Sequence, residues 1–233
     1  MKIPKILIFT VTYEGKDYIL DEFLKHTQAI KYPNFKHIFI DNSEKPDYFA
    51  KLTGLGLNAY RVQRGNNSRE AIARAQNFAR KMAIEENYDY ILSLESDILV
   101  PPDIVWLLLR HSKPVVSALY MLGIKKEGLS IPCITIPEWR EDIGAWGSRL
   151  LNLEEFKDYL HKGLKQVQAA GMGCCLMHKS TFLTTGFTYD PRFTGHSDIY
   201  FFNQMFERKI PVFVDTDILC AHENSNWLEV KDR

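Results

Sequence analysis

Three short polar segments carry the side chains in this sequence that are best suited to binding and catalysis. Each directly follows an apolar stretch, and the three are Thr10-Val11-Thr12, Asp41-Asn42-Ser43 and Glu95-Ser96-Asp97. Carboxylates in such positions bind hard divalent cations, and a bound cation can bridge phosphate oxygens and neutralise a diphosphate. For Glu95-Ser96-Asp97 alone, a solvated acidic turn before Pro101-Pro102 is the competing interpretation.

The elements that must position these segments alternate between strand and helix. Apolar and β-branched runs predict strands at residues 5–12, 37–41, 57–62 and 90–94. Apolar residues at helical spacing predict a helix over residues 17–30 and another that begins at the capping-box pattern of Asn67 to Glu70. This order implies a parallel sheet with right-handed crossovers, which binds ligands beyond the carboxyl ends of its strands. The polar segments are therefore expected to meet at one sheet edge.

The second half of the chain is less regular. Residues 123–150 contain Gly, Pro, two Trp and scattered charge, which predicts a long ordered loop or flap. A later helix is predicted after Gly195-His196-Ser197-Asp198, with Ile199 and Phe206 among its inward-facing residues. No linker divides the chain convincingly, so a single domain over residues 1–233 is expected.

Composition limits the classes of function. Lys plus Arg and Asp plus Glu each number 29, so the formal net charge is zero and a general nucleic-acid coat is disfavoured. No window approaches the roughly 18 consecutive apolar residues that a membrane-spanning helix needs. The four cysteines include no C-x-x-C pair, which favours free thiols in a reducing compartment. These features predict a cytoplasmic protein with no integral membrane segment and no strong nucleic-acid signature.

Several motifs occur in an order that resembles the nucleotide-sugar half of GT-A glycosyltransferases, particularly the broad family 2 type. They are T-x-T-Y at residues 10–13, I-D-N-S at 40–43, the capped helix with Arg69 and Asn77, and L-E-S-D-I at 94–98. In the second half the resemblance rests on the glycine-rich Gly171-Met172-Gly173, the acid-plus-aromatic helix start at His196-Ser197-Asp198, and Cys220-Ala221-His222 with its late histidine. The resemblance therefore extends over almost the whole chain.

This resemblance implies an α/β protein with a Rossmann-like GT-A fold, in which helices flank a mixed, mostly parallel central sheet. Residues 1 to about 122 would bind the nucleotide sugar, and residues from about 123 to 233 would bind the acceptor. The implied activity is that of a hexosyltransferase, which moves a sugar from a UDP- or GDP-sugar to an unidentified acceptor hydroxyl. The reaction would invert the anomeric carbon and require Mn²⁺ or Mg²⁺.

The resemblance also assigns roles to individual residues. Donor nucleotide binding falls to Thr10, Thr12, Asp41, Arg69 and Glu95, of which Glu95 would contact the ribose or the metal. The metal ligands would be Asp97 and His222, and the catalytic base would be Asp198. The acceptor would contact Gly171, Met172 and Gly173, and independently Trp139 and Trp146 could stack on a sugar.

Six of these side chains also have a structural interpretation. The alternatives are a turn cap for Asp41, a solvated helical position for Arg69 with Arg64, Arg74 and Arg80 as competitors, a helix cap for Asp198, a core position for His222, and flap packing for Trp139 and Trp146. The chain departs from the family pattern where Glu95 replaces an aspartate and Ser197 replaces an acid that often precedes the base. Metal dependence and the identity of the base are therefore open.

Two other functions are open as well. A nucleotidyltransferase acting on a sugar phosphate could use the same metal-binding acid, although the sequence lacks the N-terminal glycine-rich phosphate loop of such enzymes. A non-catalytic module for nucleotide sugars or glycans would bind the donor without turnover.

Overall fold

A computed structural model describes residues 2–124, 129–141, 144–192 and 194–223. The strands are β1 (Ile6–Thr12), β2 (Phe35–Asp41), β3 (Ala59–Arg61), β4 (Tyr90–Leu94), β5 (Ile98–Leu99), β6 (Val115–Leu119), β7 (Met121–Ile124), β8 (Leu129–Pro132), β9 (Ile134–Arg140), β10 (Ala145–Leu150), β11 (Leu164–Val167), β12 (Ala169–Ala170), β13 (Cys174–His178), β14 (Val212–Leu219) and β15 (Ala221–His222). The helices are α1 (Leu20–Gln28), α2 (Asp47–Gly54), α3 (Ser68–Glu85), α4 (Ile104–Leu109), α5 (Leu153–Phe156), α6 (Lys179–Thr184) and α7 (Ser197–Glu207), and a 3₁₀ helix covers Glu14–Ile19.

The central sheet has eight strands within the described residues, in the order β11-β14-β6-β13-β4-β1-β2-β3. Its pairs are parallel except where β13 lies between β4 and β6 and where β11 lines β14 at the edge. Ile6, Leu7 and Ile8 of β1 are all fully buried. Such a continuous apolar run is required because helices cover both faces of the sheet. The predicted class, a mostly parallel sheet flanked by helices, is confirmed.

Helix α3 packs on one face through small side chains. Ala75, Ala79 and Ala83 are completely buried, so the helix backbone approaches the sheet closely. The Asn67 side chain accepts a hydrogen bond from the Glu70 amide at 3.0 Å and caps the helix, as predicted. The Glu70 carboxylate accepts from the Asn66 amide at 2.8 Å, so it ties down the preceding loop.

The described parts of residues 123–150 are more regular than the sequence predicts. Strand β7 pairs with β8, and β9 pairs with β10 and β12 in a small antiparallel sheet. The prediction of a long loop was wrong because Gly and Pro interrupt the alternation of apolar residues, while backbone pairing between neighbouring strands holds them in register.

The predicted inward face of α7 was also wrong in part. Ile199 and Phe206 are 51% and 53% exposed, whereas Phe201, Phe202 and Met205 are buried. The three buried residues form one face of the helix and pack with the core, and the seven-residue spacing of Ile199 and Phe206 places that pair on another face. In the part of the chain that the structure describes, no helix combines the length and apolar character needed to cross a membrane.

Candidate active site

The carboxyl ends of β1, β2 and β4 meet at one edge of the central sheet, as predicted. Strand β1 lies between β2 and β4, and Thr12 stands opposite Asp41 in the β1–β2 register. Beyond β4, a turn leads into β5, which pairs with β15 so that His222 stands opposite Ile98. This pairing brings a residue from late in the chain to the acidic segment after β4.

Glu95, Asp97 and His222 form a compact cluster, in which potential ligand atoms lie within 4.8 Å of one another. Asp97 is 1% exposed, and its Oδ2 lies 3.5 Å from His222 Nε2. His222 Nδ1 donates a hydrogen bond to the Met121 carbonyl at 2.9 Å, which leaves Nε2 facing the carboxylate. Carboxylate oxygens suit Mg²⁺ and Mn²⁺ and imidazole suits transition metals, so the set fits a divalent cation such as Mn²⁺.

Lys16 brings a positive charge to the same cluster. It lies on the 3₁₀ helix after β1, is 9% exposed, and forms an ion pair between its Nζ and Asp97 Oδ2. No motif in the sequence singles out this residue. The signal was available, because Lys16 closely follows the carboxyl end of β1, where ligand-binding residues are expected.

The charges of this cluster shift one another's protonation. The Glu95 side chain reaches solvent, but the protein atoms packed around its carboxyl group reduce the hydration of that group. This desolvation, together with the Asp97 charge, raises the pKa of Glu95 to about 7. Burial acts to raise the pKa of Asp97 too, but hydrogen bonding to His222 and the Lys16 ammonium outweigh it and lower that pKa. For His222, burial acts to lower the pKa and the Asp97 carboxylate raises it above the ordinary value.

Asp41 lies beside a second opening at this edge. It is fully buried, its Oδ1 accepts hydrogen bonds from the amide and hydroxyl of Ser43, and its Oδ2 has no hydrogen-bond partner. Arg61 forms an ion pair with Asp41, with its Nε 3.8 Å from Oδ2. Arg61, Ser43, Arg64 and Asn66 contribute to the wall of a cavity of about 550 Å³. Arg61 was also missed, although it ends the weakly predicted third strand.

Of the other predicted donor residues, the two threonines are buried and Arg69 is half-buried. Thr10 is fully buried and its hydroxyl bonds to the His37 ring at 2.9 Å, while the Thr12 hydroxyl lies 3.3 Å from Tyr48 Oη. Arg69 lies in the first turn of α3, with its guanidinium 5.8 Å from the centre of the Tyr189 ring. Asp41 therefore lies behind the cavity, in contact with Ser43 and Arg61 of its wall, and both threonine side chains are buried at the same edge.

Asp198 lies in the first turn of α7 and is partly exposed. The Ile199 amide donates a hydrogen bond to its Oδ1 at 2.8 Å, and a bond from Ser197 Oγ to Gln76 Oε1 at 2.5 Å fixes the helix start to α3. The negative charge of Asp198 contributes to the raised pKa of Glu95. Asp198 is therefore near enough to Glu95 for its charge to act on that carboxyl group.

The predicted acceptor residues fall into two groups. Gly171, Met172 and Gly173 are buried, and a Cβ at Gly171 would lie 2.0 Å from Tyr120 Oη. Trp139 is 45% exposed on β9, where Trp146 is its register partner on β10. The side chain of Trp146 lies outside the described residues.

Several solved structures have a fold similar to that of this chain. S. aureus TarS (residues 1–349) superposes with a TM-score of 0.55 and 17% identity, covering 97% of this chain and 63% of that chain. This chain has a GT-A-like fold. Mannosyltransferase PcManGT from Pyrobaculum calidifontis, in complex with GDP-Man and Mn²⁺, superposes with a TM-score of 0.59 and 15% identity, covering 95% of this chain and 57% of that one.

A second TarS structure, in complex with UDP-GlcNAc, gives a TM-score of 0.54 and 14% identity, with 95% and 56% of the two chains covered. This GT-A-like chain thus spans about 56% to 63% of the length of these solved chains. No protein-family model and no curated protein sequence matches it. The predicted fold is confirmed by structure, whereas the site assignments rest on the geometry above.

Proposed function

We propose that this protein is an inverting glycosyltransferase that moves a sugar from a nucleoside diphosphate sugar to an acceptor hydroxyl. The observation that carries the proposal is the cluster of Glu95, Asp97 and His222 at the carboxyl edge of a GT-A-like sheet. The neighbours in complex with GDP-Man and UDP-GlcNAc support a nucleotide-sugar donor. We assign donor binding to residues up to about 122 and acceptor binding to those that follow.

Asp97 and His222 would hold the divalent cation, with Glu95 as a further metal ligand or a partner of the ribose. When bound, Mn²⁺ or Mg²⁺ would offset the charge that develops on the departing diphosphate. The solved mannosyltransferase complex with Mn²⁺ supports this assignment. Holding His222 through its Nδ1 proton keeps Nε2 available as a ligand atom.

Asp41 would bind the nucleoside base. Its buried, unpartnered Oδ2 needs a hydrogen-bond donor, and a base N–H can supply one. Arg61 and Arg64 in the adjacent cavity, together with Arg69 at the start of α3, provide positive charge for the phosphates. UDP- and GDP-sugars both meet these requirements.

Asp198 would take the proton of the acceptor hydroxyl as that oxygen attacks the anomeric carbon. The oxygen–carbon bond forms on the face opposite the diphosphate, whose bond to the anomeric carbon breaks. The exposed Trp139 and the neighbouring β9–β10 hairpin would contribute to the acceptor side.

The test of this assignment is the substitution Asp198→Asn, which keeps the side-chain size but removes the base. Release of nucleoside diphosphate is followed with UDP- and GDP-sugars and Mn²⁺, with water as the acceptor. We expect the variant to lose at least about 100-fold in rate. Donor affinity measured by calorimetry should stay close to the wild-type value, because Asp198 does not contact the nucleotide in this mechanism.

The matched control is Glu207→Gln, which neutralises an exposed acid at the far end of the same helix. It should keep wild-type rates. An Asp198→Asn variant with normal turnover would refute the assignment of the base. A wild-type protein that binds donors but releases no diphosphate, either with water or with a panel of hydroxyl acceptors, would instead favour the non-catalytic binding module.

A further inference from the structure

Lys16 places an ammonium on the same carboxylate oxygen that the proposed metal would use. Its Nζ contacts Asp97 Oδ2, and that oxygen also lies 3.5 Å from His222 Nε2. Both members of the ion pair are buried, with side-chain exposures of 10% for Lys16 and 2% for Asp97. A divalent cation and an ammonium cannot both occupy this oxygen without strong repulsion at low hydration.

The backbone around this contact is held in place by hydrogen bonds. Tyr18, on the same 3₁₀ helix as Lys16, donates from its hydroxyl to the Glu223 carbonyl at 2.7 Å. The Glu223 amide in turn donates to the Asp97 carbonyl at 2.9 Å. The segments that carry Lys16, Asp97 and His222 are thus joined to one another, and the flexible part is the long lysine side chain.

We propose that Lys16 is an internal counter-ion that competes with the divalent cation for Asp97 and supplies positive charge for the donor diphosphate. The proposal rests on the function proposed above. In the protein without metal, Lys16 neutralises Asp97 and reduces the repulsion between the acidic cluster and incoming phosphates. When a metal binds Asp97, the ammonium is displaced from the carboxylate.

This role predicts two effects of opposite sign for Lys16→Met, which keeps the length of the side chain and removes its charge. Affinity for Mn²⁺ alone should rise by about tenfold or more, because the competing cation is gone. Affinity for UDP and GDP without metal should fall, because Lys16 no longer neutralises the negative charge of the acidic cluster. If Lys16 had only a structural role, its substitution would not change the affinities for Mn²⁺ and for the diphosphates in opposite directions.

The experiment is titration calorimetry of the wild type, Lys16→Met and Lys51→Met, with Mn²⁺ alone and with each diphosphate alone. Lys51 is a suitable control because it forms an exposed ion pair with Asp17, the neighbour of Lys16, at 2.5 Å. Lys51→Met should bind all three ligands like the wild type. Equal Mn²⁺ affinity in the wild type and Lys16→Met would overturn the proposal while leaving the metal site standing.

Absence of Mn²⁺ binding in all three proteins would overturn this inference and metal dependence together, and donor turnover would still test the transferase function separately.

A second measurement avoids any folding defect of Lys16→Met. Acetic anhydride labelling of the wild type, read by peptide mass spectrometry, should increase at Lys16 relative to Lys51 when Mn²⁺ is added. Unchanged Lys16 labelling under saturating Mn²⁺ would refute the displacement.

Discussion

At the scale of single residues, the carboxylate of Asp41 is satisfied on one oxygen only. Ser43 donates two hydrogen bonds to Oδ1, at 3.0 Å from its amide and 2.5 Å from its hydroxyl. Oδ2 is buried without a partner, and burial raises the pKa of Asp41 although Ser43 and Arg61 act to lower it. A buried acceptor without a donor costs free energy. A ligand that donates a hydrogen bond to Oδ2 would recover this free energy on binding.

The substitution Asp41→Asn tests this interpretation. The asparagine oxygen can keep the Ser43 bonds, which places an N–H group where a base N–H would also donate. We expect nucleoside diphosphate affinity to fall by about 10- to 100-fold, the range for a hydrogen bond to a charged group. The melting temperature should change little, because the asparagine keeps the Ser43 bonds and the ion pair that is lost, with Arg61, is long at 3.8 Å.

Isothermal titration with UDP and GDP measures the effect, with Asp47→Asn as the exposed neighbouring control. A variant with wild-type affinity for both nucleotides would contradict base recognition. Asp41 would then serve only to cap the turn through Ser43, the structural alternative that the sequence leaves open.

At the scale of elements, local pattern predicted the strands that are continuous apolar runs and the helices whose apolar residues are periodic. Strands β1 and β2 and helix α3 follow from their apolar residues and one asparagine cap, and the carboxyl-edge rule then placed Asp41 and Asp97 at the same edge of the sheet. The strand pairs β7–β8 and β9–β10 were missed because their stability comes from backbone pairing with neighbouring strands rather than from a periodic apolar pattern in their own sequence. The same limit applies to α7, since only the packed core decides which of its apolar residues face inward.

The link between β12 and β13 shows why a glycine-rich motif can be structural. Gly173 donates its N–H to Tyr120 Oη at 3.1 Å and accepts from the Glu95 amide at 2.8 Å. Gly171 leaves the space that the buried Tyr120 ring occupies. These glycines therefore help to position Glu95, whether or not they also contact an acceptor.

We expect Gly171→Ala to destabilise the protein by about 1–3 kcal/mol, the usual cost of overpacking, because the new Cβ meets Tyr120. Thermal unfolding measures the change. Gly54→Ala is the matched control, since its Cβ would meet no atom within 4 Å and alanine favours its helix α2. An unchanged melting temperature in Gly171→Ala, combined with lost transfer, would instead support the acceptor role implied by the sequence.

At the scale of the whole molecule, the site depends on contacts between distant parts of the chain. The β5–β15 pairing brings His222 to Asp97, and the Ser197–Gln76 bond fixes the start of the helix that carries Asp198. Resemblance to a family pointed to these residues, but no local period could have placed them together, because long-range pairing is a property of topology. A ligand that bridges these segments should therefore stabilise the entire fold.

We expect Mn²⁺ together with the correct nucleoside diphosphate, at 100 times its dissociation constant, to stabilise the native state by about 2.7 kcal/mol. For a chain of this size that corresponds to a rise of about 5–10 °C in melting temperature. Asp97→Asn should lose the metal-dependent part of this rise, whereas the exposed control Asp158→Asn should keep it. A shift with triphosphates alone would favour nucleotidyl transfer. An Asp97→Asn protein with an unchanged Mn²⁺ response would show that the cation binds elsewhere, since this variant removes the buried charge around which the cluster is built.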